Sequence, residues 1–354
     1  MKALVKYGFG KGETEIRDVA IPEIGDDDLL IEVKAAGICG SDLAFDNGGH
    51  ENLLNPPVIL GHEFSGVIAE VGKNITKYKV GDRVVSENTG YVCGECYSCA
   101  TSDYLSCPHR LGIGYGMDGG FTNFVKINGY ILKRMPSCLF RIPESISFEE
   151  AAILDPCCNA YMAIVQESSF LAGEDLAVFG AGPLGLFSIQ IARVCGATNI
   201  IAVGLSSDEE RFKLAKKFGA THIIMADRQN VVEEINRITE GEGTALAVDC
   251  AGVPIVLKQA IEIVRNGGQI VKIGYDEKPV NFSLDPILDK AISIKGHFGY
   301  NYISWRNCIK LASKGSIDLK SMITHVLPLS KWKEGFDLAR KQKSVKIILL
   351  PEEF

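Results

Sequence analysis

No block of basic residues, no long uninterrupted apolar run, no internal repeat and no low-complexity tract occurs in this chain. Acidic residues outnumber basic ones by 44 to 37, giving a formal charge of -7, so the electrostatic footprint of a nucleic-acid binder is missing and no nucleic-acid partner is expected. The most apolar stretch, residues 176–205, is interrupted by Gly180, Gly182, Pro183, Gly185, Arg193 and Gly196. It falls short of the roughly 20 consecutive apolar residues that a membrane span needs, so no membrane partner is expected either. The segment Met1 to Tyr7 lacks the apolar core and small-residue cleavage site of a secretory signal, and it alternates like a strand. The expected location is cytoplasmic, and the expected partners are small molecules or further copies of the chain.

Cysteine, by contrast, is plentiful: eleven residues in a chain with no visible export signal, which points to metal ligation rather than disulfides. Cys93, Cys96, Cys99 and Cys107 form C-x2-C-x2-C-x7-C. That spacing lets one small loop wrap four thiolates around a tetrahedral zinc, and four thiolates leave no open position, so this metal is expected to be structural. An iron–sulfur cluster uses similar spacing, but the surrounding chain has no other electron-transfer feature.

A second constellation has a different character. Cys39, in Gly37-Ile38-Cys39-Gly40-Ser41-Asp42, precedes His62 and Glu63 in Leu60-Gly61-His62-Glu63-Phe64-Ser65-Gly66. A thiolate, an imidazole and a carboxylate supply three protein ligands and leave one coordination position open, as a catalytic zinc requires. Each residue alone is weak, since an isolated cysteine is usually a small buried hydrophobe. Their placement strengthens the set: Cys39 follows a strand ending near Ala35, and His62-Glu63 opens the next, so both sit where loops leave a sheet.

The pattern from Met1 to about Asp82 is one of short alternating strands broken by turn signals, a β-rich domain. Ser147 to Glu150 matches an S-x-x-E capping box, with Leu154-Asp155-Pro156 within or beside the helix that it starts. At residue 176 the character changes. Leu176-Ala177-Val178-Phe179 runs into Gly180-Ala181-Gly182-Pro183-Leu184-Gly185 and then a helical pattern to Val194, the strand, fingerprint and helix of a dinucleotide site. Gly180 permits the tight turn, Gly182 lets the backbone approach a pyrophosphate, and Gly185 allows close helix–strand packing.

Strand-like runs at 199–203, 222–225, 245–248 and 269–273 alternate with helical patterns near 208–218, 231–239 and 255–264, predicting a doubly wound parallel sheet over residues 159–296. The second strand ends Gly204-Leu205-Ser206-Ser207-Asp208, without the acidic residue that usually meets a ribose 2′-hydroxyl. Ser206, Ser207 and Arg211 could meet a 2′-phosphate, which tilts the reading from NAD towards NADP; Asp208 could instead cap the next helix or bind a ribose. Residues 297–354 read as a return to the first domain. They contain the aromatics Phe298, Tyr300, Tyr302 and Trp305, expected to serve packing, and His325, expected to be structural.

With these motifs in order, the sequence resembles the zinc-containing medium-chain dehydrogenase/reductase family, and within it the polyol branch of sorbitol and threonine dehydrogenases. The resemblance implies an α/β chain: a GroES-like catalytic domain over 1–158 with the structural zinc lobe at about 90–110, a Rossmann cofactor domain over 159–296, and a return to the catalytic domain over 297–354. It implies that Cys39, His62 and Glu63 are the catalytic zinc ligands. Asp155 then stands where the family has a Glu before Pro, touching the zinc directly or through water. Ser41 matches the hydroxyl that relays the substrate proton. The relay histidine that many relatives carry three residues later is Ala44 here, leaving His50 or solvent to replace it. Phe298-Gly299-Tyr300 stands where sorbitol-type enzymes have Phe-Arg-Tyr.

The activity implied is zinc-dependent hydride transfer between a secondary alcohol, a polyol or sugar derivative, and NAD(P), in a homodimer or homotetramer. The alternatives are a carbonyl reductase using the same site and a non-catalytic NADP-binding zinc scaffold.

Overall fold

A computed structural model describes residues 1–135 and 138–352. The chain divides into two compact units, Met1–Asp155 with Leu319–Phe354, and Pro156–Asp318.

In the first unit a seven-stranded sheet runs in the order Leu139–Arg141, Arg83–Ser86, Glu63–Val71, Leu29–Gly37, Lys346–Leu350 and Ile323–Pro328, with Phe124–Ile127 also pairing along Leu29–Gly37. Alternation explains the central strand: Leu29, Ile31 and Val33 enter the core, where they join Phe64, Ile68, Val84, Phe121 and Phe336. Lys346–Leu350 lies antiparallel to Leu29–Gly37, with Ile348 opposite Gly37. Strands from the two ends of the sequence therefore share one sheet. The capping box forms as expected, Ser147 N donating to Glu150 Oε2 at 2.8 Å and Glu150 N to Ser147 Oγ at 3.2 Å. The helix that it starts ends at Ala152, and a second one, Leu154–Tyr161, carries Asp155 in its first turn.

The second unit is a six-stranded, fully parallel sheet in the order His222–Met225, Ile200–Gly204, Leu176–Phe179, Thr244–Asp249, Val264–Lys272 and Ser293–Gly296. Numbered by appearance that is 3-2-1-4-5-6, the doubly wound order. All four residues of Leu176–Phe179 are buried, as in a strand covered on both faces. Pro183 opens the helix Pro183–Val194, where its missing N–H costs nothing. Asn230 caps the helix Val231–Ile238 by accepting from Val232 N at 3.1 Å.

This unit runs to Asp318, beyond the expected boundary at 296. The reason is the helix Tyr302–Ser313, which buries Trp305, Cys308 and Ile309. Asn307 Nδ2 donates to Tyr161 OH at 2.9 Å, and Asp318 N donates to Gln190 Oε1 at 2.7 Å. Of the four aromatics expected to pack, Tyr300 and Trp305 are buried edge to face at 5.3 Å, whereas Phe298 and Tyr302 are exposed. Among the described residues no helix is long and apolar enough to cross a membrane.

Candidate metal centre and cofactor site

Cys39 occupies the N-cap of the short helix Gly40–Asp46, immediately after the strand Leu29–Gly37. Its amide donates to Asp42 Oδ2 at 2.8 Å, which fixes the turn. The strand pairing sets Glu63 opposite Gly37, and a Cβ there would lie 2.7 Å from Glu63 Oε2, so the glycine makes room for the carboxylate. His62, one residue before that strand, follows from the same register. The sulfur of Cys39, a ring nitrogen of His62 and a carboxylate oxygen of Glu63 all lie within 4.8 Å of one another.

The surrounding contacts suit a cation. Lys346 Nζ donates to Glu63 Oε2 at 2.5 Å and to the Ile38 carbonyl at 2.8 Å, leaving Glu63 Oε1 buried with no hydrogen-bond partner among the described residues. Asp42 Oδ1 stands 3.5 Å from His62 Nδ1, and Ser41 Oγ stands 3.3 Å from His62 Nε2. Burial alone would keep His62 neutral, but the Cys39 thiolate and the Asp42 carboxylate outweigh it and hold its pKa well above the ordinary histidine value. A pocket that stabilises positive charge at this point, with an orphaned carboxylate oxygen, fits a divalent metal.

Asp155 is not one of the three residues whose ligand atoms converge. It is nearly buried and accepts from Asn88 Nδ2 at 3.4 Å. His50 packs its ring edge-on to Phe45, with centroids 6.1 Å apart. His325 lies on the strand Ile323–Pro328, its Nδ1 3.1 Å from Thr324 Oγ1.

Sequence reasoning passed over Asp42, Lys346 and the polar set Glu87, Asn88 and Arg110. The position of Asp42, three residues after Cys39, was a usable signal, because an N3 carboxylate reaches back to the N-cap amide. Burial pushes the Glu87 carboxyl up to about 7, against the pull of Arg110. Between the ordinary carboxylate range and that value the folded chain holds a proton that the unfolded chain releases, so this group makes stability fall as pH rises. Glu87→Gln is therefore expected to gain stability over the parent as pH rises from about 5 to about 8, reaching about 2 kcal/mol, checked by thermal unfolding across that range.

The four-cysteine group also closes as the spacing requires. Cys93, Cys96, Cys99 and Cys107 bring their sulfurs within 4.8 Å of one another. Backbone amides point at the sulfurs: Cys93 N to Cys107 at 3.4 Å, Gly94 N to Cys99 at 3.3 Å and Cys96 N to Cys93 at 3.4 Å. Amides of Glu95 and Cys96 draw the Cys93 thiol down to about 6, whereas burial pushes Cys99 of the same group up to about 12.

In the second unit Gly180 turns with φ +100° directly after the first strand, and Gly182 is the N-cap of Pro183–Val194. A Cβ on Gly185 would lie 1.8 Å from the Gly180 carbonyl oxygen, so the helix packs on the turn only because residue 185 has no side chain. The open amides at that helix start, Leu184 among them, suit a pyrophosphate. Of the three residues expected to meet a 2′-phosphate, two are already engaged: Ser206 donates through N at 2.7 Å and through Oγ at 2.5 Å to Asp227, and Arg211 Nη1 donates to Asp208 Oδ1 at 3.2 Å. Asp208 also accepts from Leu205 N at 3.1 Å, closing the turn before the next helix.

Residues 25–137 match the family described as alcohol dehydrogenase GroES-like domain, and residues 183–314 the family described as zinc-binding dehydrogenase. The chain is 44% identical to a zinc-type alcohol dehydrogenase-like protein of Escherichia coli, over 99% of this chain and 98% of that one. It is 37% identical to D-arabitol-phosphate dehydrogenase of Enterococcus avium, over 100% and 99%. Among solved structures, a zinc-binding dehydrogenase from Sinorhizobium meliloti bound to NADP superposes with a TM-score of 0.89 at 29% identity, covering 99% of each chain.

Proposed function

The chain belongs to the zinc-containing medium-chain dehydrogenase/reductase family, in its polyol branch, and from that premise we propose that Cys39, His62 and Glu63 hold its catalytic zinc. It is a zinc-dependent oxidoreductase that transfers hydride between a secondary alcohol and NAD(P). The observation that carries the site assignment is the convergence of those three side chains within 4.8 Å around a buried carboxylate oxygen with no hydrogen-bond partner among the described residues.

A zinc ion held by Cys39, His62 and Glu63 would supply Lewis acidity at the alcohol oxygen, and a dinucleotide held at the turn from Gly180 to Gly185 would supply the hydride acceptor. The chain's own residues do the rest. Asp42 orients His62, Lys346 anchors one oxygen of Glu63, and Ser41 accepts the substrate hydroxyl proton and passes it outward. Asp155 is held by Asn88 beside the centre and acts there as a carboxylate of the metal surroundings. Cys93, Cys96, Cys99 and Cys107 hold a second, structural zinc. The turn from Gly180 through Gly182, Pro183, Leu184 and Gly185 holds the pyrophosphate, with Ser206 and Arg211 at the adenosine ribose.

The substrate class is a polyol or sugar derivative. The name of the Enterococcus relative brings phosphorylated pentitols into it. We propose a cytoplasmic location and a homodimeric or homotetrameric state, the arrangement that the family resemblance implies.

The test is metal analysis of the purified chain together with a turnover screen of polyols, polyol phosphates and the matching ketones, each with NAD and NADP in parallel. Two zincs per chain and oxidation of at least one secondary alcohol are expected. One zinc and no turnover with any substrate would support the scaffold instead.

A further inference from the structure

Resting on the reading of Cys39, His62 and Glu63 as a metal centre, we propose that Arg110 is a positioning residue of that centre, tying it to the four-cysteine lobe. Arg110 follows Cys107, the last thiol of the lobe, by three residues, and its amide donates to the Cys107 carbonyl at 3.0 Å. The loop that closes the thiol cluster thus fixes the root of the Arg110 side chain.

The guanidinium is used along its whole fork. Nε donates to Thr89 Oγ1 at 3.0 Å, Nη1 to Tyr115 OH at 2.5 Å, and Nη2 to Asn88 Oδ1. Two of these acceptors lead on to the centre. Asn88 turns its Nδ2 to Asp155 Oδ2, at 3.4 Å, so the bond from Arg110 decides which way that carboxamide faces. The Tyr115 ring stands edge-on to the His62 imidazole, centroids 5.9 Å apart, and packs on Phe45 from the helix that Cys39 caps. The third acceptor, Thr89, donates its hydroxyl to the buried Glu87 at 2.7 Å. One planar cation therefore orients a carboxylate-holding amide and the ring behind a ligand histidine. Only a guanidinium has donors in this arrangement.

The experiment compares zinc-loaded wild type, Arg110→Ala, Arg110→Lys and Asn88→Ala. Its readouts are the rate at which EDTA strips each zinc and the d–d absorption of the Co(II)-substituted centre. In Arg110→Ala and Asn88→Ala we expect the Cys39 centre to lose zinc about 10- to 100-fold faster and the cobalt band to shift, while the four-cysteine zinc stays. Arg110→Lys should behave like Arg110→Ala, because the three N–H groups of an ammonium radiate from one nitrogen and do not span acceptors that the guanidinium meets with three separate nitrogens. Wild-type release and an unchanged cobalt band in Arg110→Ala would overturn the proposal, as would full recovery in Arg110→Lys. If Arg110→Ala does not fold, the same readouts on Asn88→Ala decide. Cys39→Ser run alongside separates two failures. Unchanged zinc content there overturns the metal reading itself; zinc loss there, with wild-type behaviour in Arg110→Ala, overturns only the role of Arg110.

Discussion

Cys39→Ser is expected to leave a chain that holds one zinc instead of two and oxidises its alcohol at least about a thousandfold more slowly in kcat/KM. A hydroxyl at this position is a poor metal ligand where a thiolate is a strong one, and Lewis-acid stabilisation of several kcal/mol translates into three or more powers of ten in rate. The fold should survive. Cys39 sits at a helix N-cap, and serine is among the residues preferred there, so the change removes a ligand without removing a structural contact. The zinc of the four-cysteine lobe should stay, because its thiols are untouched. Atomic emission on the purified variant, thermal unfolding and steady-state kinetics together check this. Full zinc content with full activity would end the assignment.

Lys346→Met has the largest expected effect on stability. Lys346 and Glu63 form an ion pair with side-chain exposures of 2% and 1%. Removing one partner leaves the other charge buried and uncompensated, a loss of about 3–5 kcal/mol. Burial works against the charged Lys346, but the nearby Glu63 carboxylate more than restores it, so its pKa is raised above the ordinary 10.5. For a cation the stabilisation is fully present below the ordinary value and is lost only as pH rises through the raised one, so the whole effect should be visible at neutral pH. Urea unfolding of the zinc-free chain measures it. Adding Glu63→Gln to Lys346→Met should return much of the loss, since the uncompensated carboxylate is then gone. A single variant as stable as the parent would show that the pair contributes nothing.

Most of the architecture was legible because its signals are local. The fingerprint from Gly180 to Gly185, the alternation of apolar runs with amphipathic segments and the spacing of Cys93, Cys96, Cys99 and Cys107 each occupy a short window, and the strands and helices of the second unit fall within a few residues of where the pattern sets them. Cys39, His62 and Glu63 were legible for a related reason: each stands at the end of a readable strand. Lys346 was not, because nothing in Val345-Lys346-Ile347 distinguishes a buried cation from an ordinary strand residue until the strand is docked beside Leu29–Gly37. Asn88 and Arg110 look like loop polar residues until the cysteine lobe folds them together. The compact second unit extends to Asp318 rather than to 296, and sequence alone does not say which core the segment from Phe298 to Trp305 packs into. The pairing of Ser206 with Asp227 joins the ends of adjacent strands, a contact that depends on their register.

The shared sheet of the first unit has a consequence for the order of synthesis. Leu29–Gly37 leaves the ribosome early, whereas its neighbour Lys346–Leu350 leaves only after the whole of Pro156–Asp318 has been made. The second unit is one continuous stretch and can fold as it emerges, but the first must wait with an open sheet edge and with Glu63 still lacking its lysine. During that wait the four-cysteine loop, complete by residue 107, can already be closed by its metal. On the proposed assignment, the four-cysteine site can therefore be completed on the nascent chain, whereas the Cys39 centre, which needs Lys346 beside Glu63, is among the last parts of the molecule to be completed.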